Sequence, residues 1–259
     1  MKKYLVIGSP INHSLSPKLH NYWLKENNIE AVYDRKELKS QDLKDLIIKV
    51  KTEEVNGINV TVPFKNEIIS YLDKLSHEAD STKSVNTIYL ANDKVVGHNT
   101  DIEGVELAIK EINYDISKKK IFIIGAGGVV SSIIFALKKM KASQILLSNR
   151  TKKKAENLKE IFKDLEIIDW GKLPDFDVAI NATSIGLVKS DELNIDFSKI
   201  TSGRLFYDVI YNPKQTNFLK NAKMLGNKTE NGKKMFIYQA AESFKIWHGI
   251  KPQINEEIK

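Results

Sequence analysis

The 259-residue chain contains no cysteine. That excludes disulfides, thiolate metal sites and a cysteine nucleophile, and removes one usual mark of secretion. Arginine is scarce: only Arg35, Arg150 and Arg204 accompany a lysine excess that supplies most of the net charge of +7. The lysines are spread along helical segments, and no basic run is interleaved with aromatic residues. The charge therefore reads as solvated helix faces plus an anionic small ligand, with no nucleic-acid partner. No apolar stretch reaches the roughly 18 residues of a membrane span, so no membrane partner is expected. The opening "MKKYLVIGSP" is basic, but its apolar run ends too soon for a secretory h-region. His13, His20, His77, His98 and His248 show no ligand spacing, so no metal is expected either. What remains is a cytoplasmic protein, 42% hydrophobic and without repeats or low-complexity segments, long enough for two modest cores.

The first hundred residues alternate strand and helix patterns. "KYLVIG" reads as a strand and "SPKLHNYWLKEN" as a helix with Ser16 at the N-cap and Pro17 in the first turn. "AVYDRKEL" is a second strand. "SQDLKDLIIKV" follows, with Ser40 as cap and Leu43, Leu46, Ile47 and Val50 at i, i+3, i+4 and i+7. In "NGINVTVPFKNE", residues 56–67, Ile58, Val60 and Val62 alternate with Asn59 and Thr61, until Pro63 stops the strand two residues before Lys65. Helical pieces are expected over 65–80, then two strands around an Asn92-Asp93 turn. Strands separated by helices imply a mostly parallel sheet covered on both faces.

After the amphipathic "NTDIEGVELAIKEI" a second α/β series begins with "KIFIIGAGG" and runs to "RLFYDVIYNP". Gly125 and Gly127 stand between an apolar strand and a helix, the context of a dinucleotide fingerprint. Its third position is Val130, neither Gly nor Ala. An NAD-specific site offers a carboxylate about 20 residues past the glycines. Here "SNRTKKKAE" presents Arg150, Thr151 and Lys154 instead, which suits a 2′-phosphate and so NADP(H). The last helix, "KMFIYQAAESFKIWHG", is apolar on one side and is expected to pack back on the first half.

Polar residues cluster at strand ends in the first half, where ligands bind in open α/β sheets: Ser14, Ser16, Asn59, Thr61, Lys65, Asn86, Thr87, Asn99, Thr100 and Asp101. Each has a plain structural role open to it; Asp101 alone would cap the helix that follows it. Together they suit a polyhydroxylated, acidic ligand. A Lys–Asp pair beside a hydride carrier suits carbonyl/alcohol interconversion, which moves one proton with the hydride.

On these motifs the chain resembles the shikimate dehydrogenase family over essentially its whole length. "GSPINHSLSP", "NVTVPFK", "VNT", "GHNTDIEG", "GAGG", "NRT", "NATSIG", "YDVIYNP" and "NGKKMFIYQAAESF" appear in the family's order. The resemblance implies an N-terminal, mostly parallel α/β substrate domain (1–101 plus 234–259) and a Rossmann-type NADP domain (102–233), the C-terminal helix returning to the first. It implies reversible reduction of 3-dehydroshikimate to shikimate with NADPH in aromatic amino-acid biosynthesis, by a monomer or homodimer, with substrate held between the domains. Lys65 and Asp101 would be the catalytic pair, whether the lysine gives up its proton or lends only its charge. Ser14 and Ser16 would bind the carboxylate, and Asn59, Thr61, Asn86 and Gln239 would contact the ring hydroxyls or help shape that pocket, with Tyr211 near the reacting substrate. Gly125, Ala126, Gly127, Gly128 and Val129 would cradle the pyrophosphate. Asn149, Arg150, Thr151 and Lys154 would hold the adenosine end, with Thr183, Val209 and Gly232 on the cofactor's other flank. Three departures stand out: Val129-Val130-Ser131 replace small residues, Lys83-Ser84 replaces Gly-Ala, and Lys234 replaces a glycine. A quinate or dual quinate/shikimate dehydrogenase using NAD(P) is the nearest alternative. A non-catalytic metabolite-binding homologue is another, against which the retained Lys65 and Asp101 argue.

Overall fold

The computed structural model describes residues 1–188, 190–193, 195–255 and 258. The chain forms two compact units, one of residues 1–105 with 236–259 and one of residues 106–235. Each carries a six-stranded sheet.

In the first unit the strands are β1 (Lys2–Gly8), β2 (Ala31–Glu37), β3 (Gly57–Val60), β4 (Lys74–Leu75), β5 (Thr87–Ala91) and β6 (Lys94–His98), in the order β2-β1-β3-β5-β6-β4. β1 pairs parallel with β2 and β3, and β4 parallel with β6, whereas β5 runs antiparallel to both β3 and β6. The β5–β6 hairpin turns at Asn92 and Asp93, both at positive φ, the backbone that matches strand twist. Alternation along β1 divides two cores. Tyr4 and Val6 join Leu19, Trp23 and Leu24 of α1 (Ser16–Glu26) and the i, i+3, i+4, i+7 face Ile237, Ala240, Ala241 and Phe244 of the C-terminal helix, Lys233–His248. Ile7 faces Leu43, Leu46, Ile47 and Val50 of α2 (Leu43–Lys51). The expected return of the last helix onto the first sheet is what the structure shows.

Four local expectations are corrected. Ser16 is the first helical residue of α1, not its cap; the Ser14 hydroxyl accepts the Ser16 N–H instead at 3.3 Å. Ser40 caps nothing because its hydroxyl donates to Glu67 at 3.0 Å; a 3-10 turn, Ser40–Asp42, leads into α2. The strand through Asn59 ends at Val60, with Val62 turned out to solvent, and both faces of Gly57–Val60 are buried, as befits a central strand. The segment 65–80 is not simply helical. Its 3-10 turn Glu67–Tyr71 gives way to β4, which pairs with Val96 and Gly97, before α3 (His77–Thr82), capped by the Ser76 hydroxyl. Lys83 ends α3 in the left-handed conformation, a backbone that glycine adopts more easily than lysine.

The second unit orders β7 (Lys120–Ile124), β8 (Gln144–Ser148), β9 (Glu166–Ile168), β10 (Val178–Asn181), β11 (Leu205–Asp208) and β12 (Lys228–Glu230) as β12-β11-β10-β7-β8-β9. Every adjacent pair is parallel. Counted within this unit the order is 3-2-1-4-5-6, the doubly wound arrangement with its switch point between β7 and β10. α4 (Asp101–Glu111) leads into the unit, and α5 (Val130–Lys139), α6 (Lys152–Ile161) and α7 (Asn217–Met224) accompany its strands. The sequence reading ends before α7 and β12, which complete the sheet. The C-terminal helix Lys233–His248 is α8. Among the described residues no helix is long and apolar enough to cross a membrane.

His20 lies in the α1–α8 core, stacked on Tyr33 with centroids 4.1 Å apart and edge-on to Trp23. Burial, helped by the nearby His248, pushes its pKa down to about 3. The unfolded chain therefore takes up a proton near pH 6.5 that the folded chain refuses until about pH 3. Stability is full above that upper value and falls as pH drops through the window. The slope approaches about 1.4 kcal/mol per pH unit for one such group. Calorimetry from pH 7 to 4.5 should show a falling midpoint, and His20→Phe should flatten the slope.

Candidate active site

The antiparallel hairpin determines where the site forms. It brings the start of β5 and the end of β6 to the edge where β1 and β3 finish, Thr87 pairing with Asn59 on one side and His98 on the other. Lys65, just past β3, is tied back by its carbonyl to Val85 N at 2.9 Å. Its Nζ donates to Asp101 Oδ2 at 2.5 Å, and the two residues are only 7% and 5% exposed. Asp101 opens α4, its own N–H held by Asn99 Oδ1 at 3.2 Å, so Asn99 does the local capping and the Asp101 carboxylate is left for Lys65.

Asn86 is the third member. The Thr100 backbone N–H reaches Asn86 Oδ1 at 2.8 Å, and because a backbone N–H can only donate, the oxygen of that amide must face Thr100. The Asn86 Nδ2 therefore faces Asp101 Oδ1, at 3.0 Å, and also reaches Thr100 Oγ1 at 3.0 Å and Gln239 Oε1 at 3.4 Å. Each carboxylate oxygen of Asp101 thus has its own donor, one cationic and one neutral. Removing either partner of such a buried ion pair strands the other, which costs roughly 3–5 kcal/mol. The arrangement holds a little-exposed lysine Nζ against a carboxylate beyond the end of β3, a pair that can pass or take a proton.

The other residues expected around the substrate fall at different depths. Gln239 joins Asn86, its Nε2 anchored on Phe236 O at 2.8 Å. Asn59 is an interior brace. Its Nδ2 donates to Asn86 O at 3.0 Å and Ser243 Oγ at 2.9 Å, and its Oδ1 accepts the Tyr33 hydroxyl at 2.7 Å. Its amide hydrogens are thereby committed inside the protein. Ser14 and Ser16 sit at the start of α1, where burial raises Tyr33 and a hydrogen bond with Ser16 works against that rise. Thr61 is half-buried, with its N–H on Ile7 O at 2.9 Å. Tyr33 and Ser243 are missed by sequence reasoning, Ser243 because one serine in an apolar helix looks like an ordinary helical residue.

In the second unit the loop after β7 carries Gly125, Ala126, Gly127, Gly128 and Val129 to the start of α5, whose first turn has no acidic side chain. The positive end of α5 lies there, a position that suits an anion. Gly125 has φ +110°, and a Cβ on it would stand 2.8 Å from the Ala182 backbone. A Cβ on Gly127 would meet only Ala182 O, at 3.8 Å, so the chain itself leaves that space open for a ligand. Arg150, Thr151 and Lys154 are exposed past β8, with Asn149 Nδ2 fastened to Thr151 O at 2.8 Å. A nicotinamide dinucleotide with a 2′-phosphate fits these donors and this space.

At the other end of the switch point, Asn181, Asp208 and Thr216 join the loops that follow β10 and β11. Asp208 accepts from Asn181 Nδ2 at 3.1 Å, Ile210 N at 3.0 Å and Thr216 Oγ1 at 2.6 Å, while burial raises its pKa. Asn181 Oδ1 holds the Thr183 hydroxyl at 2.7 Å. Val209 and Gly232 touch through their backbones: a Cβ on Gly232 would lie 2.0 Å from Val209 O. Tyr211 is half-buried beside them in sequence, its hydroxyl pKa raised by burial. Asn181 and Asp208 escaped the sequence reading, although a polar residue ending an apolar strand is a legible signal.

A doubly wound dinucleotide-binding unit and a separate α/β unit with a buried Lys–Asp pair define the architecture of a nicotinamide-dependent dehydrogenase. Comparison with known proteins narrows this. Residues 6–88 match the shikimate dehydrogenase substrate binding domain, residues 106–214 the shikimate/quinate 5-dehydrogenase model, and residues 234–256 the shikimate 5′-dehydrogenase C-terminal domain. A shikimate dehydrogenase (NADP(+)) of Pelagibacter ubique (strain HTCC1062) is 55% identical over 256 residues, 99% of this chain and 97% of that protein. The crystal structure of shikimate dehydrogenase from Aquifex aeolicus shares 36% identity with a TM-score of 0.91, covering 100% of this chain and 96% of that one. The Thermus thermophilus enzyme, solved in complex with NADP(H) and shikimate, shares 30% at TM-score 0.90 over 98% and 95%. The chain belongs to the shikimate dehydrogenase family.

The two glycines separate strain from space. Gly125→Ala should lower the thermal midpoint, a left-handed non-glycine costing about 1–2 kcal/mol before the Ala182 clash is added. Gly127→Ala should leave the midpoint nearly unchanged in the same scan.

Proposed function

We propose that the protein is an NADP-dependent shikimate dehydrogenase that interconverts 3-dehydroshikimate and shikimate. The buried Lys65–Asp101 pair carries the reading, with family membership and the nucleotide loop in support. The nicotinamide, when bound, supplies or accepts the hydride. The chain's own task is the remaining proton and the placing of the substrate. Lys65 Nζ gives the alcohol oxygen its proton on reduction and takes it back on oxidation, its charge polarising the carbonyl meanwhile. Asp101 holds Nζ at one oxygen while Asn86 steadies the other. Ser14 and Ser16 hold the substrate carboxylate; Thr61 and Gln239 take its hydroxyls, Asn86 shapes that pocket from beside Asp101, and Tyr211 lies near the reacting substrate. Asn59 supports this set from behind, since its amide hydrogens are already committed. Gly125 through Val129 receive the pyrophosphate, Asn149 to Lys154 the 2′-phosphate end, and Thr183, Val209 and Gly232 border the nicotinamide. A cytoplasmic enzyme acting on a small molecule, as monomer or homodimer, completes the reading.

Shikimate and quinate, each offered with NADP⁺ and NAD⁺ and followed at the nicotinamide absorbance, test it directly; shikimate with NADP⁺ should give the highest kcat/KM. Lys65→Ala should lower kcat by orders of magnitude while the KM for shikimate moves little, and near-normal turnover would remove Lys65 from the mechanism. Arg150→Ala should weaken NADP⁺ by about 10- to 150-fold with little change for NAD⁺, the loss of one charge-assisted contact of roughly 1.5–3 kcal/mol. Gly127→Ala, though stably folded, should bind either dinucleotide poorly.

A further inference from the structure

Behind the catalytic pair lies a closed set of hydroxyls whose purpose the proposed reaction does not explain. Thr87, Thr100 and Ser243 come from β5, the segment after β6 and α8, and all are fully buried. Their oxygens stand 2.8 Å (Thr87–Ser243), 3.1 Å (Thr100–Ser243) and 3.3 Å (Thr87–Thr100) apart. Both threonine hydroxyls also reach Asn86 Oδ1, at 3.0 and 3.2 Å. Buried hydroxyls in an apolar surrounding are costly unless fully paired, and here each has several partners.

Donor and acceptor identities fix the amides around the set. Ser243 Oγ can donate to Gln239 O at 3.0 Å, one turn back on its own helix, and accepts from Asn59 Nδ2 at 2.9 Å. Asn59 cannot reverse its amide, because Asn86 O, reached by Asn59 Nδ2, can only accept. Hydroxyl partners both donate and accept, so the Ser243–threonine bonds run in either direction, and in each case a threonine hydroxyl, Thr87 at 3.0 Å or Thr100 at 3.2 Å, can donate to Asn86 Oδ1. Asn86 Oδ1 then receives the Thr100 N–H and a hydroxyl proton, which fills its lone pairs and fixes its Nδ2 toward Asp101.

We infer that Thr87, Thr100 and Ser243 form a positioning triad that locks the Asn86 amide so that it donates to Asp101, keeping the carboxylate aligned on Lys65. The inference rests on the Lys65–Asp101 reading of the chemistry and extends it to residues that touch neither substrate nor cofactor. None of the three is a catalytic residue; each acts through Asn86.

Thr87→Val keeps the shape of the side chain and removes only its hydroxyl, while Thr87→Ser keeps the hydroxyl and removes only a methyl. Thr87→Val should lower kcat for shikimate oxidation about tenfold, with KM for shikimate and NADP⁺ within about twofold. Thr87→Ser should restore most of the rate. Ser243→Ala, a milder change should the valine variant fold poorly, should lower kcat in the same way with KM little moved. Wild-type kcat in both Thr87→Val and Ser243→Ala would overturn the triad. So would Thr87→Ser behaving like Thr87→Val, which would trace the loss to packing. If wild-type protein fails to oxidise shikimate at all, the reading of the reaction fails; if it turns over and the variants match it, only the triad does.

Discussion

The hydrogen-bonded ion pair between Lys65 and Asp101 is the constraint around which the first unit is arranged. Two opposite charges this deeply buried persist only if each is fully paired, since water cannot repay what burial takes away. The pairing draws on four distant segments: the turn after β3, the start of β5, the start of α4 and the middle of α8. Asn86 occupies the oxygen that Lys65 leaves free, and Gln239 and the hydroxyls of Thr87, Thr100 and Ser243 surround Asn86 in turn. The lysine is thereby held beyond the end of β3 with its charge balanced by one carboxylate and little exposed to water.

The second unit meets a different demand by different means. A dinucleotide carries charge along an extended molecule, so the unit offers a helix terminus, open backbone and exposed cations instead of a buried pair. Gly125 adopts a backbone that other residues resist, whereas the space at Gly127 is open to a ligand; neighbouring glycines thus serve separate ends. Asp208, buried without a cation, is satisfied wholly by neutral donors, and it ties together the loops that follow β10 and β11. The two units therefore treat buried carboxylates in opposite ways: Asp101 against a lysine, Asp208 against hydroxyl, amide and backbone N–H.

Much of this was legible in the order of residues. Apolar runs bounded by polar caps and glycines marked nearly every long strand and helix, and the loop after β7 announced a nucleotide site because its glycines stood in the right context. Local reading went astray where a side chain had a distant partner. Ser40 looked like a cap but is held by Glu67, and 65–80 looked helical although Lys74–Leu75 pair with β6. Asn59 looked like a ligand-facing polar group on a strand, yet Tyr33, Asn86 and Ser243 consume it from within.

Periodicities, turn residues and the chemical types available are written along the chain, and they suffice for an α/β protein with a lysine, an aspartate and a phosphate-binding loop. Those are local properties, set by neighbours within a few residues. Which polar groups meet depends instead on how distant segments pack. The antiparallel β5–β6 hairpin, inserted beside parallel β3, carries Asn86 and Asp101 to the end of the sheet where Lys65 emerges. The orientation of the Asn86 and Asn59 amides in that cluster then follows from backbone groups that can only donate or only accept, a fact no spacing along the chain contains.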